Sequence, residues 1–133
     1  MTILADRAAE NRTALLDRLA ELGELRAQAN LGGGESAVAR HRARGKLTVR
    51  ERIELLLDRD SPFLELSPYA AWGTDFPVGA SVVTGIGVVE GVEVMISAND
   101  ATVRGGTSNP YTFRKTQRAH EIGVALALAA DHR

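Results

Sequence analysis

The residues best suited to chemistry lie in a polar, glycine-containing loop, 99–110, between a predicted strand and a predicted helix. A loop at the carboxyl end of a strand, beside a helix N-terminus, can bind anions, and adjacent glycines let the backbone approach a ligand closely. The pattern is neither a Walker A loop nor a GxGxxG fingerprint. A purely structural turn is an equal alternative. The candidate binding residues are Asp100, Arg104, Gly105, Gly106 and Thr107 of the loop and Arg114 and Lys115 of the helix.

A second concentration of charge covers residues 40–46, where Arg40, Arg42, Arg44 and Lys46 surround His41. The chain as a whole carries 16 basic and 17 acidic residues, a net charge of −1, which disfavours a broad nucleic-acid surface. Acidic residues follow within about two helical turns. An intramolecular role or a nucleotide-phosphate role therefore ranks above DNA binding.

Other chemistries find little support in the sequence, and no catalytic residue is assigned. The chain has no cysteine, so disulfides, thiolate nucleophiles and zinc-thiolate sites are excluded, and its three histidines are scattered. A Ser-His-Asp triad cannot be argued from the spacing. Charged residues near Met1 interrupt any apolar run that could form a signal peptide, and this pattern predicts a cytoplasmic protein.

Helices must position these groups from the N-terminal side. Helix-forming residues predict an amphipathic helix from Leu4 to Ala29 whose apolar face packs on a neighbour, in the same chain or in another. The three glycines at 32–34 are predicted to form a flexible joint, and a short helix covers 35–44. A capping box at 48–51 starts a third helix, with a buried stripe formed by Val49, Ile53, Leu56 and Leu57.

Sheet structure follows after Pro62. The segment 63–66 is a short strand candidate, and strands at 81–89 and 92–98 are joined by a two-residue hairpin, Glu90-Gly91. Gly85 and Gly87 share one strand face, where another group must approach closely. A helix covers about 111–130. Because a strand followed by an apolar helix needs a further parallel strand to cover that helix, we expect either an incomplete domain or a partner chain that supplies the missing layer.

Two strings resemble the carboxyltransferase (β) subunits of biotin-dependent acyl-CoA carboxylases. Arg44-Gly45-Lys46-Leu47-Thr48 followed by Arg50-Glu51-Arg52-Ile53 is similar to a motif of that family, and residues 99–107 resemble its strand-to-helix loop. The Asn-Asp-Ala-Thr form of the loop is similar to the methylcrotonyl-CoA and geranyl-CoA carboxylase branch. The similarity runs from about Gly32 to Arg133.

This resemblance implies an α/β fold in which N-terminal helices precede the start of a crotonase-like (ClpP/crotonase) spiral of ββα units. The corresponding segments are 1–31, 32–60 and 61–133. The implied activity is carboxyl transfer from carboxybiotin, held on a partner carrier domain, to an acyl-CoA, with ATP used only by a partner biotin carboxylase. Arg104, Gly105 and Gly106 would lie nearest the CoA, with Arg114 or Lys115 as phosphate partners and Arg44 and Lys46 as further candidates.

The resemblance also implies partners: the remainder of a carboxyltransferase subunit, further copies in a ring of six, and the biotin carboxylase and biotin carrier. In that family backbone N–H groups stabilise an enolate, and these groups would lie beyond Arg133, so we expect the isolated chain to be inactive. A non-catalytic helical interaction module of a larger assembly is the alternative, and a nucleic-acid binder built on residues 40–46 ranks last.

Overall fold

The structure is a computed structural model that describes residues 2–130, with side chains described up to residue 127. Met1, which begins the predicted segment 1–31, and residues 131–133, which end the predicted segment 61–133, lie outside the described residues. Within residues 2–130, four α-helices and three strands follow one another. They are α1 (Thr2–Asn30), α2 (Glu35–Ala43), α3 (Val49–Leu56), β1 (Leu64–Leu66), β2 (Val82–Val89), β3 (Val92–Asn99) and α4 (Pro110–Ala130).

The three strands form one antiparallel sheet in the order β1-β2-β3. The predicted hairpin is confirmed: Glu90 and Gly91 both have left-handed backbone, with φ values of 49° and 78°, as a two-residue type I′ turn requires. The carboxylate of Asp58 accepts hydrogen bonds from both turn N–H groups, at 2.6 Å from Glu90 and 2.8 Å from Gly91. The end of α3 and the hairpin are therefore connected through one side chain.

Helices cover both faces of the sheet. On one face, α3 contributes Val49 and Ile53, which pack with Val83 and Ile96 to form the hydrophobic core. On the other face, α4 packs against β2 and β3 and buries Thr112, Lys115 and Ala119, which recur at helical spacing. The sheet is thus sandwiched, and its exit loop lies beside the start of α4.

The predicted stripe on α3 is correct for its first two members and wrong for Leu56, which is 52% exposed. The helix ends at Leu56 and the chain turns extended at Leu57, so Leu56 points away from the sheet while Leu57 packs against the core. The close approach predicted at two strand glycines is confirmed. A Cβ at Gly85 would lie 2.4 Å from the Phe63 ring, and one at Gly87 would lie 2.3 Å from Leu57.

Helix α1 has no buried residue, and Leu15, Leu19 and Leu22 are 61%, 53% and 42% exposed. Its later turns line a cavity together with Tyr69 and Trp72, and the Arg26 guanidinium donates to the Glu65 carboxylate at 2.9 Å. The predicted helix is confirmed, but this chain covers little of its apolar face.

Candidate functional site

The loop after β3 is organised by Asp100, which is buried beside the end of the sheet. Its backbone N–H donates to the Ser81 carbonyl at 2.8 Å, and its carboxylate accepts from the Thr102 N–H at 2.9 Å and from the Thr102 hydroxyl. Each of these bonds fixes the direction in which the chain leaves β3. Asp100 therefore shapes the loop from inside, and the ligand contact expected of it stays a prediction.

A short 3₁₀ turn, Arg104–Gly106, presents the next residues at the surface. All three have left-handed backbone, with φ values of 45°, 71° and 74°, a conformation that favours glycine at the last two positions. The Thr107 hydroxyl donates to the Arg104 carbonyl at 3.0 Å and closes the turn. Gly105 has open space where a Cβ would be, so its backbone is accessible.

The Arg104 side chain is held by an aromatic residue that sequence reasoning missed. Its Cζ lies 4.7 Å from the centroid of the Phe76 ring, a cation–π geometry, and that ring lies 6.1 Å from the ring of Tyr111. Phe76 belongs to an irregular segment 28 positions earlier in the chain, so no local pattern could have indicated this contact.

Residues from the two distant strings meet in one cleft, which we call the basic cleft. It has a volume of about 280 Å³ and lies between α2 and the loop after β3. Helix α2 provides one wall and the loop provides the other. The lining residues are Ala37, Arg40, His41 and Arg44 on the helix side and Ala101, Thr102, Arg104 and Gly105 on the loop side.

Within the run 40–46, the side chains divide between structure and cleft. Arg42 forms an ion pair with Glu51 at 2.5 Å, and the Thr48 N–H and Arg42 together hold the pKa of the Glu51 carboxyl below its usual value. His41 bonds through Nε2 to the Leu47 carbonyl at 2.9 Å. Arg40 and Arg44 are exposed at the cleft. The intramolecular role predicted for this run is thus confirmed for Arg42.

The basic residues at the start of α4 do not join this cleft. Arg114 is exposed on the helix, whereas Lys115 is only 5% exposed and its ammonium donates to the carbonyls of Gly79 at 3.0 Å and Val82 at 2.6 Å. Burial lowers the pKa of Lys115 to about 8, against the opposing charge of Glu65. Two of its three N–H donors are thus used inside the fold, and the phosphate contact expected of Lys115 stays a prediction.

A larger cavity of about 460 Å³ lies on the other side of α2, between the end of α1 and α3. Both basic residues that line it are paired: Arg42 with Glu51, and Arg50 with Glu65. Glu35 and Glu54 also line it. Its charges therefore do not select for an anion, and the smaller basic cleft suits a phosphate better.

Within residues 2–130, no three or more histidine or carboxylate side chains are grouped so as to hold a metal ion. No helix in that range is long and apolar enough to cross a bilayer.

Comparison with known proteins points to one family. The carboxyl transferase domain family matches residues 40–129. A probable biotin-dependent acyl-coenzyme A carboxylase beta2 subunit of Mycobacterium tuberculosis is 62% identical over 118 residues, which cover 88% of this chain and 22% of the relative. The biotin-dependent 3-methylcrotonyl-coenzyme A carboxylase beta1 subunit of the same organism is 53% identical over 108 residues, covering 80% of this chain and 20% of that protein.

A solved structure shows the same relationship in three dimensions. The geranyl-CoA carboxylase beta subunit of P. aeruginosa superposes with a TM-score of 0.74 at 36% identity, over 87% of this chain and 22% of that one. The chain thus spans about a fifth of the length of the relatives it matches.

Proposed function

Because this chain belongs to the carboxyl transferase domain family, with an α/β fold of the crotonase-like class, we propose that it forms part of the CoA site of an acyl-CoA carboxylase β subunit. One observation carries the proposal: the basic cleft brings Arg44 of one motif to Arg104 and Gly105 of the other, although 60 positions separate them. If each motif formed only a local turn, the fold would have no reason to bring the two together.

The chemistry of the cleft fits the phosphates of CoA. Arginine presents a planar fork of N–H donors that matches phosphate oxygens, and the cleft gathers Arg40, Arg44 and Arg104 on opposite walls. Stacking on Phe76 fixes the Arg104 guanidinium before a ligand arrives, which reduces the entropy lost on binding. The exposed backbone at Gly105 permits close approach of the ligand.

The proposed activity is transfer of a carboxyl group to an acyl-CoA. Carboxybiotin, brought on a partner carrier domain, supplies the carboxyl group, while ATP is used by a partner biotin carboxylase. The residues of this chain bind and orient the CoA moiety. Backbone donors that face the thioester oxygen would come from other parts of such a subunit, since the matching relatives are about four times as long as this chain: the match covers 88% of this chain but 22% of the first relative, and 80% of this chain but 20% of the second. We also propose that the exposed apolar face of α1 packs against a partner, either the rest of a subunit or a further copy in a homo-oligomer.

Calorimetric titration of the chain with CoA tests the site. Replacing Arg44 or Arg104 by alanine should weaken CoA binding about tenfold each, because each removes charge-assisted hydrogen bonds to phosphate. Arg118→Ala is the matched control: Arg118 is exposed on α4, where it pairs with Glu121 at 3.3 Å, and CoA affinity should not change.

Pantetheine, which lacks the nucleotide phosphates, separates phosphate recognition from general damage. Its binding should be the same in the wild type and in both cleft variants. Wild-type CoA affinity in Arg44→Ala and Arg104→Ala would refute the assignment of the basic cleft.

A further inference from the structure

Helix α2 carries half of the basic cleft but has no buried residue of its own. A helix without a buried face is not located by core packing, so polar contacts must determine its distance from the loop. The ion pair of Arg42 and the bond of His41 both link α2 to residues 47–51, which follow it directly in the chain. They orient α2 on α3 but do not connect it to the loop after β3.

The connection to that loop is made by Gly33, at the entrance to α2. Its backbone N–H donates to the Thr102 hydroxyl at 3.0 Å, and the same hydroxyl donates to the buried Asp100 carboxylate. A chain of two hydrogen bonds therefore runs from the start of α2 to the end of β3. Thr102 also lines the basic cleft, so this chain of bonds reaches the cleft at Thr102.

The approach of the two segments is close enough to require glycine at 33. A Cβ on Gly33 would lie 1.8 Å from the Thr102 carbonyl oxygen, although the backbone of Gly33 is not in the left-handed region. At Gly32 a Cβ would lie 2.5 Å from the Asp100 carboxylate. The sequence predicted a flexible joint here, whereas the structure shows that the glycines permit contact with the loop.

We infer that Thr102 and Gly33 are positioning residues: their hydrogen bond sets the separation between the arginines of α2 and Arg104 across the cleft. This inference rests on the proposed CoA site. It assigns no ligand contact to the Gly33 N–H or to the Thr102 hydroxyl. Both act through Arg40 and Arg44.

The test measures CoA affinity by calorimetry in the 133-residue chain. Thr102→Val keeps the side-chain shape but removes the hydroxyl, leaving the Gly33 donor and one bond to Asp100 unmade, and CoA binding should weaken about tenfold. Thr102→Ser keeps the hydroxyl and should restore wild-type affinity. Thr13→Val, the same replacement on the exposed α1, should have no effect.

A double-mutant cycle separates positioning from general damage. If Thr102 acts through α2, Thr102→Val should cost much less affinity when Arg44 is already alanine. Equal losses in both backgrounds would overturn the inference. Should Thr102→Val not fold, Gly33→Ala provides the same measurement, with the added methyl group forcing α2 away from the loop.

The results distinguish the two proposals. Wild-type affinity in Thr102→Val, together with a loss in Arg104→Ala, would overturn the positioning role and leave the CoA site standing. Wild-type affinity in Arg44→Ala and Arg104→Ala would overturn the CoA site itself.

Discussion

At the scale of single residues, the most demanding group is Lys115, a buried ammonium. Nearby, Glu65 accepts from Arg50 through both carboxylate oxygens, at 2.9 and 3.0 Å, and from Arg26. Burial raises the pKa of Glu65, but the hydrogen bonds and charge of Arg50, with the charges of Arg26 and Lys115, outweigh burial and hold it below its usual value. These cations and one carboxylate form the polar centre between β1, α3 and α4.

The pH dependence of stability follows from Lys115. Its pKa falls from 10.5 in the unfolded chain to about 8 in the fold, so between these values the unfolded chain binds more protons. The penalty for burying the charge is complete below pH 8 and is relieved as pH rises towards 10.5. In urea titrations, the unfolding free energy of the wild type minus that of Lys115→Met should increase by about 2 kcal/mol from pH 7.5 to 10.

Lys46 offers a matched control, since it is the only other lysine and is exposed. Lys46→Met should keep the pH profile of the wild type. A difference between wild type and Lys115→Met that stays constant across this pH range would show that the ammonium does not titrate near pH 8.

At the scale of elements, sequence patterns among residues close together in the chain predicted the local structure correctly. The capping box at Thr48 is present, with the Thr48 N–H donating to Glu51 at 2.7 Å and the Glu51 N–H donating to Thr48 at 3.3 Å, because both partners lie within one helical turn. The hairpin turn could also be predicted from the sequence, because Gly91 and the β-branched runs on either side of it define the turn. Contacts between distant segments could not be predicted from the sequence, such as Arg26 with Glu65 and Arg104 with Phe76. Nor could the sequence indicate that Lys115, and not Arg114, is the buried residue of α4. Adjacent charges on a helix do not reveal which of them faces the sheet.

The contact between Asp58 and the hairpin turn should contribute to stability. Asp58→Ala removes both acceptors for the turn N–H groups, which hold two consecutive residues in left-handed backbone, and should lower the unfolding free energy by about 2 kcal/mol. Amide exchange in the turn, at Glu90 and Gly91, should accelerate. Asp58→Asn keeps one acceptor oxygen and should lie between the two. Asp17→Ala, on the exposed α1, is the control and should stay within about 0.5 kcal/mol of the wild type; a similar result for Asp58→Ala would show that the turn folds without this cap.

At the scale of the whole molecule, the family and the fold class were predicted from two strings and are confirmed. The roles of individual site residues stay predictions. The basic cleft became visible only when the fold brought α2 to the loop after β3, since the sequence shows the two charge clusters but not their distance. The neighbour predicted for α1 lies in this chain only for part of the helix. The last turns of α1 contact Glu65, while Leu15 and Leu19 are exposed.

Because the last turns of α1 contact the rest of the chain and its first turns are exposed, the effect of shortening the helix should depend on how much is removed. Removing residues 1–20 deletes no buried side chain and keeps Arg26, so the unfolding free energy at micromolar protein concentration should change by about 0.5 kcal/mol or less, while helical ellipticity falls. Removing residues 1–27 also deletes Arg26, which leaves Glu65 with one cation fewer, and should destabilise the remainder by about 1–2 kcal/mol. Urea unfolding followed by circular dichroism measures both. If the shorter deletion destabilises as much as the longer one, then the exposed leucines are packed within this chain, and α1 is not the free surface on which the proposed partner contact depends.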